Sequence, residues 1–510
     1  MTSGGVEGST GAGPAALIVA PSRTAQLARQ TVVYGLSGVA LPAVGMITLP
    51  IFARAFTPAE YGLVELSMVG LAVALAFADA GFASATQRSF YDYRDEQIVE
   101  RKTVVTTGFC ATSVAALLVA AILLATREHV AGFLFDRKDE TDLITLVALS
   151  IPLWIAASFL REVMRLRFRA APYLVSTVLG AVLSGAVGVA AVLALDYGVE
   201  GVLLGIVAGN AAAALYGAIA VRHDLSRHLS AFELRRMLAF GLPLVPAGLA
   251  LWGLTFVDRI MLSRLGDLDE VGKYAVASRV SGVINLVVTG FLLALSPYLL
   301  SIYAEDRGLE KIMRGRALTY LTFGLTLASL CVTVFGREIV SLVAPAYDDA
   351  YKAVGPLTFS AVAFGLSGIV MAGISLARRT TYFALLAGGA AGINVGLNLA
   401  LIPRFGMVGA AVAAGAAYGC LALAYYLVGQ RVYPTPYEPA KVLTMLGLGV
   451  ACAPAGLLSL EPDALELLLK GLVVGAFVAS VRLTGALGPD EFRELRRFFL
   501  GMARLREGGR

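Results

Sequence analysis

Apolar runs of about 20 residues, each long enough to cross the hydrocarbon of a bilayer, recur along almost the whole of this 510-residue sequence. No polar stretch between them is long enough to form a soluble domain. Composition points the same way: 58% of the residues are hydrophobic and 15% charged. A soluble globular chain has roughly 45–50% and about 25%. The chain therefore reads as an all-α polytopic membrane protein. Fourteen membrane helices are predicted, over 31–53, 61–87, 103–126, 142–160, 172–194, 200–221, 238–257, 272–298, 317–336, 354–376, 382–402, 407–429, 441–459 and 464–484. Residues 1–28 are Gly/Ser/Ala-rich and aperiodic and read as a disordered cytoplasmic tail, and 339–345 before Pro345 reads as loop.

Several function classes fall away at once. The net charge is only +5, and the basic residues lie between apolar runs rather than in one patch, so no nucleic-acid partner is expected. Cys110, Cys331, Cys420 and Cys452 are singletons within apolar segments and are expected to be buried, inert thiols. With only His129, His223 and His228, all in predicted loops, no metal site or catalytic triad is expected. No GxxxxGK[ST] run occurs, so no nucleotide motor and no cofactor are expected. The outer loops are too short to hold a catalytic domain, which disfavours a membrane-embedded glycosyltransferase or polymerase, and no enzymatic site is assigned.

The Lys and Arg residues test the segmentation. If the N-terminus is cytoplasmic, 27 of the 41 fall on the cytoplasmic side, 9 on the other and 5 within or at the edges of helices. A bias that alternates loop by loop is the signature of membrane orientation, and it puts both termini inside.

The chain also repeats itself with a period near 208. Tyr34-Gly35 corresponds to Phe240-Gly241, Tyr61-Gly62-Leu63-Val64 to Val271-Gly272-Lys273-Tyr274, and Tyr197-Gly198-Val199-Glu200-Gly201-Val202 to Phe405-Gly406-Met407-Val408-Gly409-Ala410. Six helices followed by six form a parallel repeat, which predicts two lobes related by a pseudo-twofold axis along the membrane normal with a central cavity between them. The predicted organisation is a tail (1–28), an N-terminal six-helix lobe (29–222), a C-terminal six-helix lobe (234–430), helices 13 and 14 (440–485) and a basic cytoplasmic tail (486–510). Taken singly, each repeated glycine is also explained by close helix packing.

Val257-Asp258-Arg259-Ile260-Met261-Leu262 followed by Glu270-Val271-Gly272-Lys273-Tyr274-Ala275 resembles the helix-seven-to-eight signature of bacterial polysaccharide flippases. So do Ile393-Asn394, Leu397-Asn398, Leu401-Ile402-Pro403, Phe405-Gly406 and Gly409-Ala410-Ala411, and Pro58-Ala59-Glu60-Tyr61-Gly62. These motifs are similar to those of the O-antigen-type oligosaccharide flippases of the multidrug/oligosaccharidyl-lipid/polysaccharide exporter superfamily. The resemblance covers helices one to twelve; helices 13 and 14 match only in number. It implies export of an undecaprenyl-pyrophosphate-linked oligosaccharide across the bacterial cytoplasmic membrane by alternating access, with the lipid bilayer and a polymerase of the same pathway as partners. The alternatives are a peptidoglycan lipid-precursor flippase and a drug or cation antiporter of the same superfamily; a non-transporting scaffold fits least.

Ionisable groups within hydrocarbon are costly and face a cavity or a partner. A pyrophosphate cargo needs cationic donors, and the planar guanidinium suits phosphate. Arg279, about two turns into helix eight, is the leading candidate for substrate binding, with Arg259, Arg161, Arg165 and Arg88 as further candidates. Glu65 and Asp79, fourteen residues apart on nearly one face of helix two, and Asp258 are candidates for ion coupling or charge balance. A plainer account stands beside each. Arg279 pairs with an acid across the lobes, and Asp258-Arg259 caps a helix end. Arg88, Arg161, Arg165, Arg378 and Arg379 snorkel at inner ends, and Asn394 and Asn398 are interhelical hydrogen-bond glue.

Overall fold

The computed structural model describes residues 42–94, 96–137, 139–376, 381–458 and 463–488, with Gly38 and Glu491. The predicted N-terminal tail, most of the C-terminal one, Tyr34-Gly35, Arg378 and Arg379 lie outside these residues. Everything described is helix, turn or bend, without a strand. The helices are α1 (Pro42–Ala55), α2 (Pro58–Asp79), α3 (Phe82–Tyr91), α4 (Ile98–Ala125), α5 (Arg127–Phe135), α6 (Thr141–Leu166), α7 (Ala170–Ala194) and α8 (Gly198–Val221). There follow α9 (Ala231–Gly241), α10 (Val245–Leu265), α11 (Leu268–Glu305), α12 (Arg307–Val334), α13 (Gly336–Val343), α14 (Tyr351–Leu376), α15 (Thr381–Val432), α16 (Pro439–Cys452) and α17 (Asp463–Leu483).

Among the described residues, eleven helical stretches are long and apolar enough to cross a membrane, not fourteen. The difference has three sources. The described part of the first helix is short, α10 is diluted by Asp258, Arg259 and Arg264, and predicted helices 11 and 12 run together in α15. Within α15 the chain turns at Gly406, whose φ of +53° falls where a side chain is strained; its repeat partner Gly198 has φ +56°. Three further expectations need correction. Predicted helix two is broken after Asp79, where Ala80 and Gly81 take left-handed conformations before α3 begins. The stretch 339–345, read as loop, belongs largely to α13, and the connection after α4, also read as loop, contains α5. Both are short helices whose charged residues hide them from an apolar-run search. The four cysteines are free but none is buried, since Cys420 is exposed and the others are half-buried. A helix face turned to hydrocarbon needs no protein cover.

Local signals explain the helix starts. Thr57 and Glu60 form a reciprocal capping box ahead of Pro58 in α2, and Asp267 caps α11 through the amide of Glu270. We orient the molecule with these two starts at the top. Leucines and isoleucines such as Leu117, Ile122, Leu215, Ile219, Leu468 and Leu472 are exposed on α4, α8 and α17, an arrangement that suits lipid rather than water.

Helices α2, α4, α6, α7 and α8 pack together, as do α10, α11, α12, α14 and α15, while α16 and α17 pack on α12. The two groups meet where α2 lies against α10 and α11, and again where α9 lies against α3 and α4. At the top they share one core containing Leu66 of α2, Ile144 and Ile151 of α6, Val271 and Tyr274 of α11 and Val354 of α14. Toward the bottom the buried residues divide. Phe82, Phe90, Phe159, Leu160 and Met237 form one core, and Ile284, Val288, Leu321, Leu325 and Ile374 another. The buried residues thus form one shared core above and two cores below, where α9 carries the contact between the groups.

Hydrocarbon gives little hydrophobic drive between helices, so close backbone approach must hold the top together. A Cβ at Gly62 would lie 2.3 Å from the carbonyl oxygen of Leu268, and one at Gly272 would lie 1.9 Å from that of Pro58. These two glycines are partners in the sequence repeat, and each packs on the start of the other's helix. Arg54 donates to the carbonyl of Leu342 at 2.9 Å, and the Tyr347 hydroxyl donates to that of Phe56 at 3.1 Å, so α13 and the segment after it are sewn to the end of α1.

Candidate functional site

Just below the glycine seal, charges from both helix groups converge. At 1.5 Å per residue, Glu65 lies about 10 Å and Arg279 about 17 Å below the tops of α2 and α11, within the hydrocarbon slab. Arg259 is the most heavily bonded. Its guanidinium donates to Asp258 Oδ1 at 2.9 Å, Glu65 Oε1 at 3.2 Å, Ser278 Oγ at 3.0 Å and the carbonyl of Thr255 at 2.7 Å. It also sits over the rings of Phe256 and Tyr274. Asp258 is 3% exposed in its side chain and accepts a further hydrogen bond from the Tyr274 hydroxyl. The carboxylate of Glu65, from the other helix group, therefore ties α2 to α10 in the middle of the membrane.

Arg279 is placed differently. Its only carboxylate neighbour among the described residues is Glu65, at 3.9 Å, and its side chain is 36% exposed where that of Arg259 is 10%. The guanidinium lies beside α1, where a Cβ at Gly45 would be 3.1 Å from Nη1. The absent side chain at Gly45 leaves room for the arginine between α1, α2 and α11. Glu65, Asp258, Arg259 and Arg279 sum to zero formal charge. Arg259 uses its donors on four protein partners, whereas the Arg279 guanidinium makes no hydrogen bond to a described residue.

The other sequence candidates lie elsewhere. Asp79 ends α2, fourteen residues below Glu65, beside the backbone of Gly81 and Ala83, so it joins the break between α2 and α3 rather than the charge cluster. Arg165 is exposed and pairs with Glu162 on its own helix at 2.7 Å. Arg161 has no carboxylate partner among the described residues and lies near the bottom of α6. Arg88 is exposed at the bottom of α3, 4.7 Å from the centre of the Phe240 ring. Asn394 and Asn398 are fully buried but bond to each other along one helix, one turn apart, rather than bridging two; Asn394 Nδ2 and Asn398 Oδ1 have no partner.

Sequence reasoning passed over three features. Tyr274 was seen only as part of a motif, and its hydroxyl donates to Asp258, one of the two carboxylates that anchor Arg259. Glu310 and Arg314 form a buried ion pair at i,i+4 in α12; their spacing was visible, but the helix was predicted to start only at 317. Lys470 of α17 is completely buried between Glu466, at 2.7 Å, and Glu338 of α13. The Glu466–Lys470 spacing was again a legible signal.

The fold is shared with solved transporters. Lipid II flippase MurJ, in an inward closed conformation, superposes with a TM-score of 0.69 at 14% identity, over 88% of this chain and 98% of that one. An inward-facing multidrug resistance MATE family transporter of the MOP superfamily gives 0.59 at 16%, over 78% and 97%. A MATE transporter of Vibrio cholerae gives 0.56 at 15%, over 80% and 97%. These identities speak to the fold alone. No curated protein matches the sequence. The profile of the family described as "Polysaccharide biosynthesis protein" matches residues 27–303, which contain all four charges of the cluster. That match spans more than half of the chain, and this multi-pass membrane protein therefore belongs to the polysaccharide biosynthesis protein family.

Proposed function

We propose that the protein is a flippase that moves an undecaprenyl-pyrophosphate-linked oligosaccharide across the bacterial cytoplasmic membrane by alternating access, with both termini and the bottom of the molecule cytoplasmic. The carrying observation is the asymmetry of the two arginines: Arg259 is fully bonded, while Arg279 makes no hydrogen bond to a described residue and pairs only weakly, at 3.9 Å, with Glu65. A diphosphate entering from the bottom would meet Arg279 first, through charge-assisted bonds strengthened by the low dielectric. It then competes with Glu65 for the two guanidinium groups. Because Glu65 is the only one of the four charges on the N-terminal group, losing its bonds to Arg259 and Arg279 releases the tie between the groups. Asp258, Ser278 and Tyr274 hold the C-terminal half of the cluster in place meanwhile. No covalent bond is made or broken, so no catalysis is assigned, and a polymerase of the same pathway would receive the cargo.

A cationic drug as cargo is disfavoured, since the member of the cluster with the weakest internal bonds is itself a cation. A peptidoglycan lipid precursor carries the same diphosphate, so direct translocation assays must separate the two. Proteoliposomes loaded with fluorescent lipid-linked oligosaccharide, and in parallel with the lipid precursor, measure which is flipped. Arg279→Ala is expected to abolish flipping of the true cargo while the protein still inserts, and Arg279→Lys, which keeps charge but loses the planar fork, to retain only part. Wild-type rates in Arg279→Ala would end the assignment.

A further inference from the structure

A partly open space lies near the bottom of the C-terminal helix group, about 20 Å along α11 from Arg279. It is an apolar slot of about 180 Å³ between α11 and α14, walled by Leu292, Leu295 and Leu299 on one side and Gly368, Ala372 and Leu376 on the other. The helices touch at its upper end, where a Cβ at Gly368 would lie 3.0 Å from Leu292. An apolar cavity of roughly 150 Å³ stays dry and holds a benzene-sized hydrocarbon, so this one has room for a short segment of a lipid chain.

The back wall is polar in a specific way. Arg314, buried, lines the slot and is neutralised by Glu310, its Nε lying 2.7 Å from Oε1. Glu310 also accepts from the Tyr433 hydroxyl at 2.7 Å. Next to this pair are two cations seated on tyrosine rings. Lys311 Nζ is 4.5 Å from the centre of Tyr433, and Arg307 is 5.1 Å from that of Tyr303, which is one turn beyond Leu299. Glu310 is engaged by Arg314 and Tyr433, and Asp306 by the amides of Gly308 and Leu309. No carboxylate of a described residue lies within ion-pair distance of Arg307 or Lys311. The slot therefore has an apolar floor, with two cations close to it that no described carboxylate neutralises.

We propose that this slot holds one hydrocarbon chain of an anionic phospholipid from the bottom leaflet, its phosphate resting between Arg307 and Lys311. Juxtamembrane cations attract anionic headgroups, and tyrosines at that depth match the membrane interface. The occupant is not the transported cargo, because a phosphate at Arg307 lies too far from Arg279 to engage the central cluster. The site thus stands whether or not the flippase reading does.

The test uses the full chain in phosphatidylcholine nanodiscs carrying trace phosphatidylglycerol or phosphatidylcholine with a photoreactive chain, followed by mapping of labelled peptides. Phosphatidylglycerol is expected to label 292–300 and 368–376 at least fivefold more than phosphatidylcholine does. Arg307→Gln with Lys311→Gln should remove that preference, and Ala372→Phe, which fills the slot, should reduce labelling by both lipids at least fivefold. The Arg307 and Lys311 substitutions are at the surface, so they keep the test decisive if Ala372→Phe fails to fold. Equal labelling by the two lipids in the wild type overturns the proposal, as does a preference that survives loss of both cations. Displacement of phosphatidylglycerol by added polyprenyl phosphate overturns it too, and would make this a carrier-lipid site.

Discussion

Gly272→Ala should break the top seal, and the structure sets the scale of the effect. The new methyl carbon would sit 1.9 Å from the carbonyl oxygen of Pro58. A relaxed carbon–oxygen contact is about 3.3 Å, so α2 and α11 must separate by about 1.4 Å at their crossing. Both atoms at fault are rigid: one is backbone and the other is fixed to it. Overpacking of this kind costs about 1–3 kcal/mol. A value of about 2 kcal/mol, falling only on the sealed state, would raise the population of top-open molecules about thirtyfold. In a background lacking the four native cysteines, Leu66→Cys reports it, since Leu66 is fully buried in the shared top core. Its labelling rate with a membrane-impermeant maleimide should rise by about that factor. Gly62→Ala, with its methyl 2.3 Å from the carbonyl of Leu268, should act likewise. One displacement relieves both clashes, so the double variant should cost less than the sum of the singles. Unchanged labelling in Gly272→Ala, or strict additivity in the double variant, would show that the crossing is not the seal.

Three further outcomes follow from the same contacts. Glu65→Gln removes the carboxylate that competes with substrate for the arginines, so a soluble diphosphate headgroup analogue should bind about tenfold tighter by calorimetry, the equivalent of about 1.4 kcal/mol; unchanged or weaker binding argues against competition. Lys470→Met leaves Glu466 and Glu338 facing each other, and breaking such a buried arrangement costs about 3–5 kcal/mol, so the melting midpoint should fall and be largely restored by adding Glu338→Gln and Glu466→Gln. An unaffected midpoint means the cluster does not fasten α17 to α13. Reporter fusions after residues 140 and 230 should report opposite sides of the membrane, outside and inside; the same side for both would overturn the segmentation of the first helix group.

The long helices were legible because their signal is local: a run of apolar residues needs no partner to be recognised. What escaped was set by neighbours. The break after Asp79 looks like any apolar stretch, since Ala80 and Gly81 are equally at home inside a helix. Only the close pass of α9, whose Gly241 carbonyl would lie 2.7 Å from a Cβ at Gly81, shows why the chain must be bare there. Helices α5 and α13 were missed for the opposite reason. Arg127-Glu128 and Arg337-Glu338 make them look like loop, yet they start at equivalent places after α4 and α12, so the repeat extended further than the glycine motifs alone indicated. Gly62 and Gly272 were noted as repeat partners, but their mutual packing depends on two helix starts about 210 residues apart being brought face to face.

The charge cluster divides along the same line. Each of Glu65, Asp258, Arg259 and Arg279 could be flagged from the sequence, because an ionisable group in hydrocarbon stands out alone. Their roles could not, since these depend on which charges cancel. Asp258 and Arg259 are adjacent and satisfy a capping account; the structure adds Glu65 from 194 residues away and so turns a local pair into a bond between helix groups. That third member carries the division of labour proposed above. An arginine bonded to two carboxylates, a hydroxyl and a carbonyl gives up much to meet a ligand, whereas one with a single carboxylate at 3.9 Å gives up little. In a cluster of zero net charge, the group with the weakest internal bonds is the one an incoming anion can recruit at least cost. By that criterion Arg259 is the fixed post of the cluster and Arg279 is the hand it extends.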